Sequence, residues 1–153
     1  MVNIEEGQKA PDFELLDQEG RKVALSDFKG KKLILYFYPR DDTPGCTIEA
    51  CSFRDNIKKI KDKNIEVIGI SNDNQLSHEK FSKKFSLNFR LLCDTGKKVS
   101  KGYGVYEKKN FMGNEYMGIT RSTFLIDENG KIQKIFYKVN PGKHIDEIFE
   151  VIG

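Results

Sequence analysis

The sequence predicts an α/β fold, a central mixed sheet flanked by helices with an N-terminal β-hairpin, and three observations predict it. Two apolar runs, residues 33–38 and 65–71, read as strands buried on both faces. Each is followed by a segment of helical length, the first with an apolar stripe at Ala50, Phe53, Ile57 and Ile60. Towards the C-terminal end, Asn129-Gly130 separates two further strand-like runs, a strong hairpin signal. With 153 residues the chain suits a single domain, 1–153, large enough for a substantial core. No internal repeat, low-complexity tract or linker divides it.

In chain order, residues 12–16 and 21–25 flank a Glu19-Gly20 turn and read as a small hairpin. Residues 26–30 lead into the buried strand 33–38, which Pro39 ends. Thr43 is then a good N-cap and Pro44 fits the first position of a helix. Strand 65–71 follows, then a helix containing Lys80, Phe81 and Phe85, a short strand ending at Cys93, and a short helix over 98–102. Strands 121–126 and 131–139 flank the Asn-Gly turn, and a last helix covers about 143–152. Residues 106–117 receive no element; Phe111, Met112, Tyr116 and Met117 either border an opening or pack.

The chemistry concentrates at Cys46. It falls in the first turn of the predicted helix, where backbone amides lack intrahelical partners and negative charge is favoured. Such a position favours the thiolate, the nucleophilic form of cysteine, above all beside a cation. The bland alternative is a small apolar side chain filling a helix-strand interface. Cys51 lies five residues on, about 500° around a helix, so its side chain points roughly 140° away with the Cα atoms about 8 to 9 Å apart. A disulfide needs Cα atoms within about 7 Å, so any bond between these two requires the first turns to unwind. Cys51 should sit at the edge of the apolar stripe, and an inert boundary residue is its other reading. Cys93 ends a strand before a turn and reads as packed or incidental, although a competing resolving thiol or an intermolecular partner stays open.

The spacing Pro39-x-x-x-Thr43-x-x-Cys46 resembles the active-site signature of the peroxiredoxins. With Tyr36-Phe37-Tyr38 before it and Thr47-x-Glu49-x-x-Cys51 after it, the segment is similar to the bacterioferritin comigratory protein (BCP, PrxQ) subfamily, and the likeness runs from residues 7–13 through 118–127. The resemblance implies a thioredoxin-like fold, the order also given by strand-helix-strand-helix followed by a hairpin and a helix. It implies that Cys46 is peroxidatic, attacking the O–O bond of hydrogen peroxide or an organic hydroperoxide to leave a sulfenic acid. It further implies that Thr43 and Arg121 hold and polarise the peroxide, that Pro39 shapes the pocket, and that Cys51 resolves the sulfenic acid as an intramolecular disulfide. No metal or organic cofactor is then required. A guanidinium suits the task at position 121 because it stays charged and offers donors in a fixed fork. A solvated strand-edge cation is its plain alternative.

The remaining residues exclude more than they suggest. Three cysteines and two histidines lack metal-ligand spacing, and both His78 and His144 read as solvated side chains. Asp41 and Asp42 read as a solvated loop beside Arg40. Lys+Arg 26 against Asp+Glu 23 gives a net charge of only +3, with basic residues scattered, so no nucleic-acid track is expected. Residues 1–6 carry no signal-peptide pattern, and no apolar run reaches membrane-spanning length. An odd cysteine count without a leader points to the cytoplasm, where thioredoxin or a similar dithiol reductant is at hand to recycle a disulfide. A monomer is the expected assembly, with a weak dimer as the alternative. Two rival functions remain: a thioredoxin-like thiol-disulfide oxidoreductase, whose Cys-x-x-Cys is absent here, and a non-catalytic binding module on the same fold.

Overall fold

The computed structural model describes residues 4–153. The reading of residues 1–6 as lacking a leader therefore falls partly outside the described residues. The hairpin is β1 (Glu14–Asp17) and β2 (Lys22–Ala24), antiparallel across the predicted turn. A single 3₁₀ turn, Leu25–Phe28, buries Leu25 and Phe28 and passes the chain to β3 (Lys32–Phe37). Helix α1 (Pro44–Lys61), β4 (Ile65–Ser71), α2 (Gln75–Lys84), β5 (Arg90–Cys93) and α3 (Lys98–Gly102) follow. The chain ends with β6 (Tyr106–Phe111), β7 (Asn114–Ile119), β8 (Ser122–Ile126), β9 (Ile132–Tyr137) and α4 (His144–Ile152).

Seven strands form one mixed sheet in the order β2-β1-β5-β4-β3-β8-β9. Strands β3, β4 and β5 run parallel, so their C-terminal ends share one edge, and β8 pairs antiparallel with β3. The period-2 alternation of β3 builds both layers of core. Leu33, Leu35 and Phe37 point to one side with Phe13, Phe28, Tyr103 and Phe124. Ile34, Tyr36 and Tyr38 point to the other, where Ala50, Phe53 and Ile60 of α1 and Ile148 of α4 cover them. The apolar stripe read from the sequence is thus the face that α1 lays on the sheet, and Cys46 lies in that same layer. Gly69 on β4 is required here: a Cβ would stand 2.8 Å from Tyr36 Cζ, so only glycine lets the Tyr36 ring lie flat against the strand.

One element was not foreseen. β6 and β7 form a separate two-stranded hairpin over residues 106–119, closed by Met112 and Gly113, both at positive φ. Phe111, Met112, Tyr116 and Met117 are all exposed on it, so of the two readings of that segment, packing in the core is excluded.

Candidate functional site

β3 delivers the chain to a bend at the exposed Pro39, and residues 39–43 then turn it into α1. Thr43 has the extended backbone of an N-cap, with Pro44 in the first turn, as expected. Its hydroxyl does not cap the helix, however. It donates to the Arg40 carbonyl at 3.0 Å, which leaves the amides of Gly45 and Cys46 without a side-chain acceptor and leaves the Thr43 oxygen free to accept. An unsatisfied pair of N–H groups at a helix start is a ready site for negative charge.

Arg121, immediately before β8, reaches across to this turn. Its Nη2 stands 3.4 Å from Cys46 Sγ, and its Nη1 donates to Glu49 Oε1 at 2.8 Å. One guanidinium therefore bridges the thiol and a carboxylate placed one helical turn beyond it. Gly45 makes this approach possible, since a Cβ there would lie 3.0 Å from Arg121 Nη2 and 3.4 Å from Pro141 Cγ. Cys46 itself is only 1% exposed. Cys46, Thr43 and Arg121 meet at one helix start, as expected, whereas Pro39 is exposed at the bend that precedes it.

Glu49 is the participant that sequence reasoning left without a role. It is 1% exposed; burial pushes its carboxyl up to about 7 against the pull of Arg121, and its second oxygen, Oε2, has no hydrogen-bond partner. The Tyr36 hydroxyl is likewise buried without a partner, and its pKa is raised well above the usual phenol value by burial and then by Glu49 and Cys46. The signal was available: Glu49 is at i+3 from Cys46 and so shares its helix face. Lys109 on β6 also belongs to this neighbourhood. Burial lowers its pKa, Glu107 raises it, and the charges of Arg121 and Cys46 act on it in opposite directions.

Cys51 is half-buried at the margin of the α1 stripe, as its helical position required, and α1 is continuous through both cysteines. At 1.5 Å rise per residue the two are separated by about 7.5 Å along the axis alone, so a bond between them needs the helix opened. Cys93 ends β5 and is half-buried; burial pushes its thiol up to about 11, with Asp41, Asp17 and Asp73 adding to the shift.

Three expectations of solvent exposure are corrected. His78 is fully buried, because Nε2 donates to the Leu92 carbonyl at 2.8 Å while Nδ1 lies 2.7 Å from Asp41 Oδ2. His144 is 1% exposed, bonded to Thr123 Oγ1 at 2.7 Å and set against the rings of Phe53 and Phe136. Asp41 is buried too, whereas Asp42 is exposed and pairs with Lys84 at 2.8 Å. Asp41, Asp73 and His78 bring ligand-type atoms within 4.8 Å of one another, a grouping that linear spacing did not reveal. Their atoms are engaged within the protein: Asp73 Oδ2 accepts from the Asp41 amide and the Ser71 hydroxyl, and Asp41 accepts from Tyr38 and Ser77.

Known proteins resemble this chain along nearly its whole length. Residues 6–135 match the model of the AhpC/TSA family. A putative peroxiredoxin bcp of Coxiella burnetii is 49% identical over 147 residues, covering 96% of this chain and 97% of its own. Peroxiredoxin Bcp of Bacillus subtilis is 47% identical over 151 residues, with 99% and 96% covered. Among solved structures, the bacterioferritin comigratory protein of Xanthomonas campestris, studied for alkyl peroxide reduction, superposes with a TM-score of 0.87 at 31% identity, covering 92% of this chain and 89% of that one. The sheet and flanking helices are those of a thioredoxin-fold peroxiredoxin.

Proposed function

The chain belongs to the AhpC/TSA family as a peroxiredoxin of the BCP/PrxQ type, a thiol-dependent peroxidase, and from that premise we propose that Cys46 is its peroxidatic nucleophile. The Cys46 thiolate attacks one oxygen of a hydroperoxide, the O–O bond breaks, and the other oxygen leaves with a proton as water or alcohol. The Gly45 and Cys46 amides and Arg121 are aimed where negative charge develops on the peroxide oxygens, and Thr43 accepts the peroxide hydrogen. The observation that carries this assignment is the contact of Arg121 Nη2 with Cys46 Sγ at 3.4 Å, in a helix turn with unsatisfied amides. Hydrogen peroxide and organic hydroperoxides share the terminal O–O–H group that such a covered thiol admits.

Cys51 condenses with the sulfenic acid, forming a disulfide and releasing water after α1 opens. A dithiol such as thioredoxin, available in the cytoplasm, then takes up the bond by exchange. A monomer without nucleic-acid partners suffices for this cycle. No helix among the described residues is long and apolar enough to cross a membrane.

Peroxide consumption in the presence of dithiol, measured on wild type and Cys46→Ser, tests the assignment. Loss of turnover by at least about a thousandfold is expected. Equal turnover in both would overturn it. A simple thiol-disulfide oxidoreductase would instead reduce disulfide substrates while ignoring peroxide.

A further inference from the structure

A buried, densely bonded polar cluster lies at the chain segment that must move. Asp41 stands five residues before Cys46, and four residues on or next to three elements hold it. Tyr38 at the end of β3 donates to Oδ1 at 2.6 Å, Ser77 of α2 donates to Oδ2 at 2.8 Å, His78 of α2 faces Oδ2 at 2.7 Å, and the Asp41 amide donates to Asp73 after β4 at 2.8 Å. His78 is fixed in turn by β5, through the Leu92 carbonyl. A carbonyl oxygen carries no proton, so the hydrogen of that bond sits on Nε2, and the short Nδ1–Oδ2 contact contains one further hydrogen shared by the pair. The His78 ring and the Asp41 carboxyl thus share one short bond sealed from water, and breaking such a bond singly strands its buried partner. The next residue, Asp42, sits at φ 58 and is tied by Lys84 to the far end of the same helix.

We propose that His78 is a positioning residue that clamps Asp41 and thereby sets how often the first turns of α1 open to let Cys51 reach Cys46. The inference rests on the peroxidase reading above. The clamp holds residues 39–43 in the arrangement that presents Thr43 and the free amides to peroxide, and the disulfide forms only from the opened state. His78 therefore biases a two-state element towards the form that reacts with peroxide and away from the form that closes the disulfide. If the folded form dominates strongly, weakening the clamp multiplies the small open population and hardly dents the large closed one.

Two substitutions separate this role from general stability. The amide of Asn places its nitrogen where His Nδ1 lies, so His78→Asn keeps the bond to Asp41 and gives up the one to Leu92. The longer His78→Gln reaches towards Leu92 and gives up Asp41. Each loses one buried bond, and a purely structural role predicts that any change in closure follows the loss of overall stability, with exchange raised throughout the chain. The clamp predicts that His78→Gln speeds Cys46–Cys51 closure after a single pulse of hydrogen peroxide by about tenfold, the weight of one buried hydrogen bond, while the peroxide step changes by less than about threefold. His78→Asn should close at close to the wild-type rate. Amide hydrogen exchange on the reduced proteins gives a second readout: the hydrogen-bonded amides of residues 47–51, the first of them Thr47 on the Thr43 carbonyl, should exchange about tenfold faster in the Gln variant, with α4 unchanged. Equal closure rates in the two variants, or exchange raised uniformly through the chain, would overturn the clamp while leaving the peroxidase assignment intact. A wild type that consumes no peroxide would remove both.

Discussion

Cys46 and Cys93 sit at the same edge of one sheet, since β3, β4 and β5 run parallel and each cysteine lies at or just beyond a strand's C-terminal end. Cys46 is the more deeply covered of the two, yet it is the thiol proposed to react. Burial does not separate them; charge does. Around Cys46 stand a guanidinium at 3.4 Å and the positive end of an eighteen-residue helix. Around Cys93 stand the carboxylates of Asp41, Asp17 and Asp73, which add to the effect of burial and hold the thiol protonated up to about 11. Two thiols on one scaffold thus face side chains of opposite charge from neighbouring elements.

The sharpest way to break the contrast is to blur the cation. Arg121→Lys keeps the charge but loses the fork that spans Cys46 and Glu49, and the second-order rate with hydrogen peroxide, followed by rapid quench, should fall by about a hundredfold to a thousandfold. A fall of less than threefold would show that the guanidinium is only a surface charge.

Next in size is Glu49. Its carboxyl holds a proton up to about 7 in the folded protein against 4.5 ordinarily, because burial outweighs Arg121. The native state therefore binds the extra proton between these values, and stability from this group is complete below about pH 4.5 and is lost as pH rises through about 7. Urea denaturation of Glu49→Gln should show a flatter pH profile over that window, by up to about 3 kcal/mol. An unchanged slope would mean that Arg121 fully compensates the buried charge.

Much of this was legible in sequence, for identifiable reasons. The run of residues 33–38 announced a strand covered on both faces, and the Thr43-Pro44 start placed Cys46 in a first turn before any coordinates. The β6–β7 hairpin escaped because Glu107, Lys108 and Lys109 give no apolar alternation and because its turn uses Met112 at φ 52 instead of an Asn-Gly pair. His78 and His144 escaped for a different reason. A histidine reads as solvated unless its partners are known, and the hydrogen-bond partners of these two, Leu92, Asp41 and Thr123, lie far away in sequence and are invisible to linear spacing. Glu49 was within reach, three residues from Cys46 on one helix face. Arg121 was identifiable only through the family signature, since nothing in its own neighbourhood distinguishes it from other basic residues.

Smaller effects sharpen the comparison. Cys51→Ser should leave the first reaction of Cys46 with peroxide unchanged while steady-state turnover with dithiol falls at least about tenfold, the sulfenic acid persisting long enough to be trapped by dimedone. Cys93→Ser should alter both rates by less than about twofold, because a thiol held protonated to about 11 contributes almost no thiolate near neutrality.

The contrast itself is tested most directly by mapping all three thiols in the wild-type protein after one equivalent of hydrogen peroxide, with rapid alkylation and peptide analysis. Cys46 is expected joined to Cys51, with Cys93 fully alkylated. Recovery of Cys93 in an oxidised form, or bonded to Cys46, while Cys51 remained free would contradict the account.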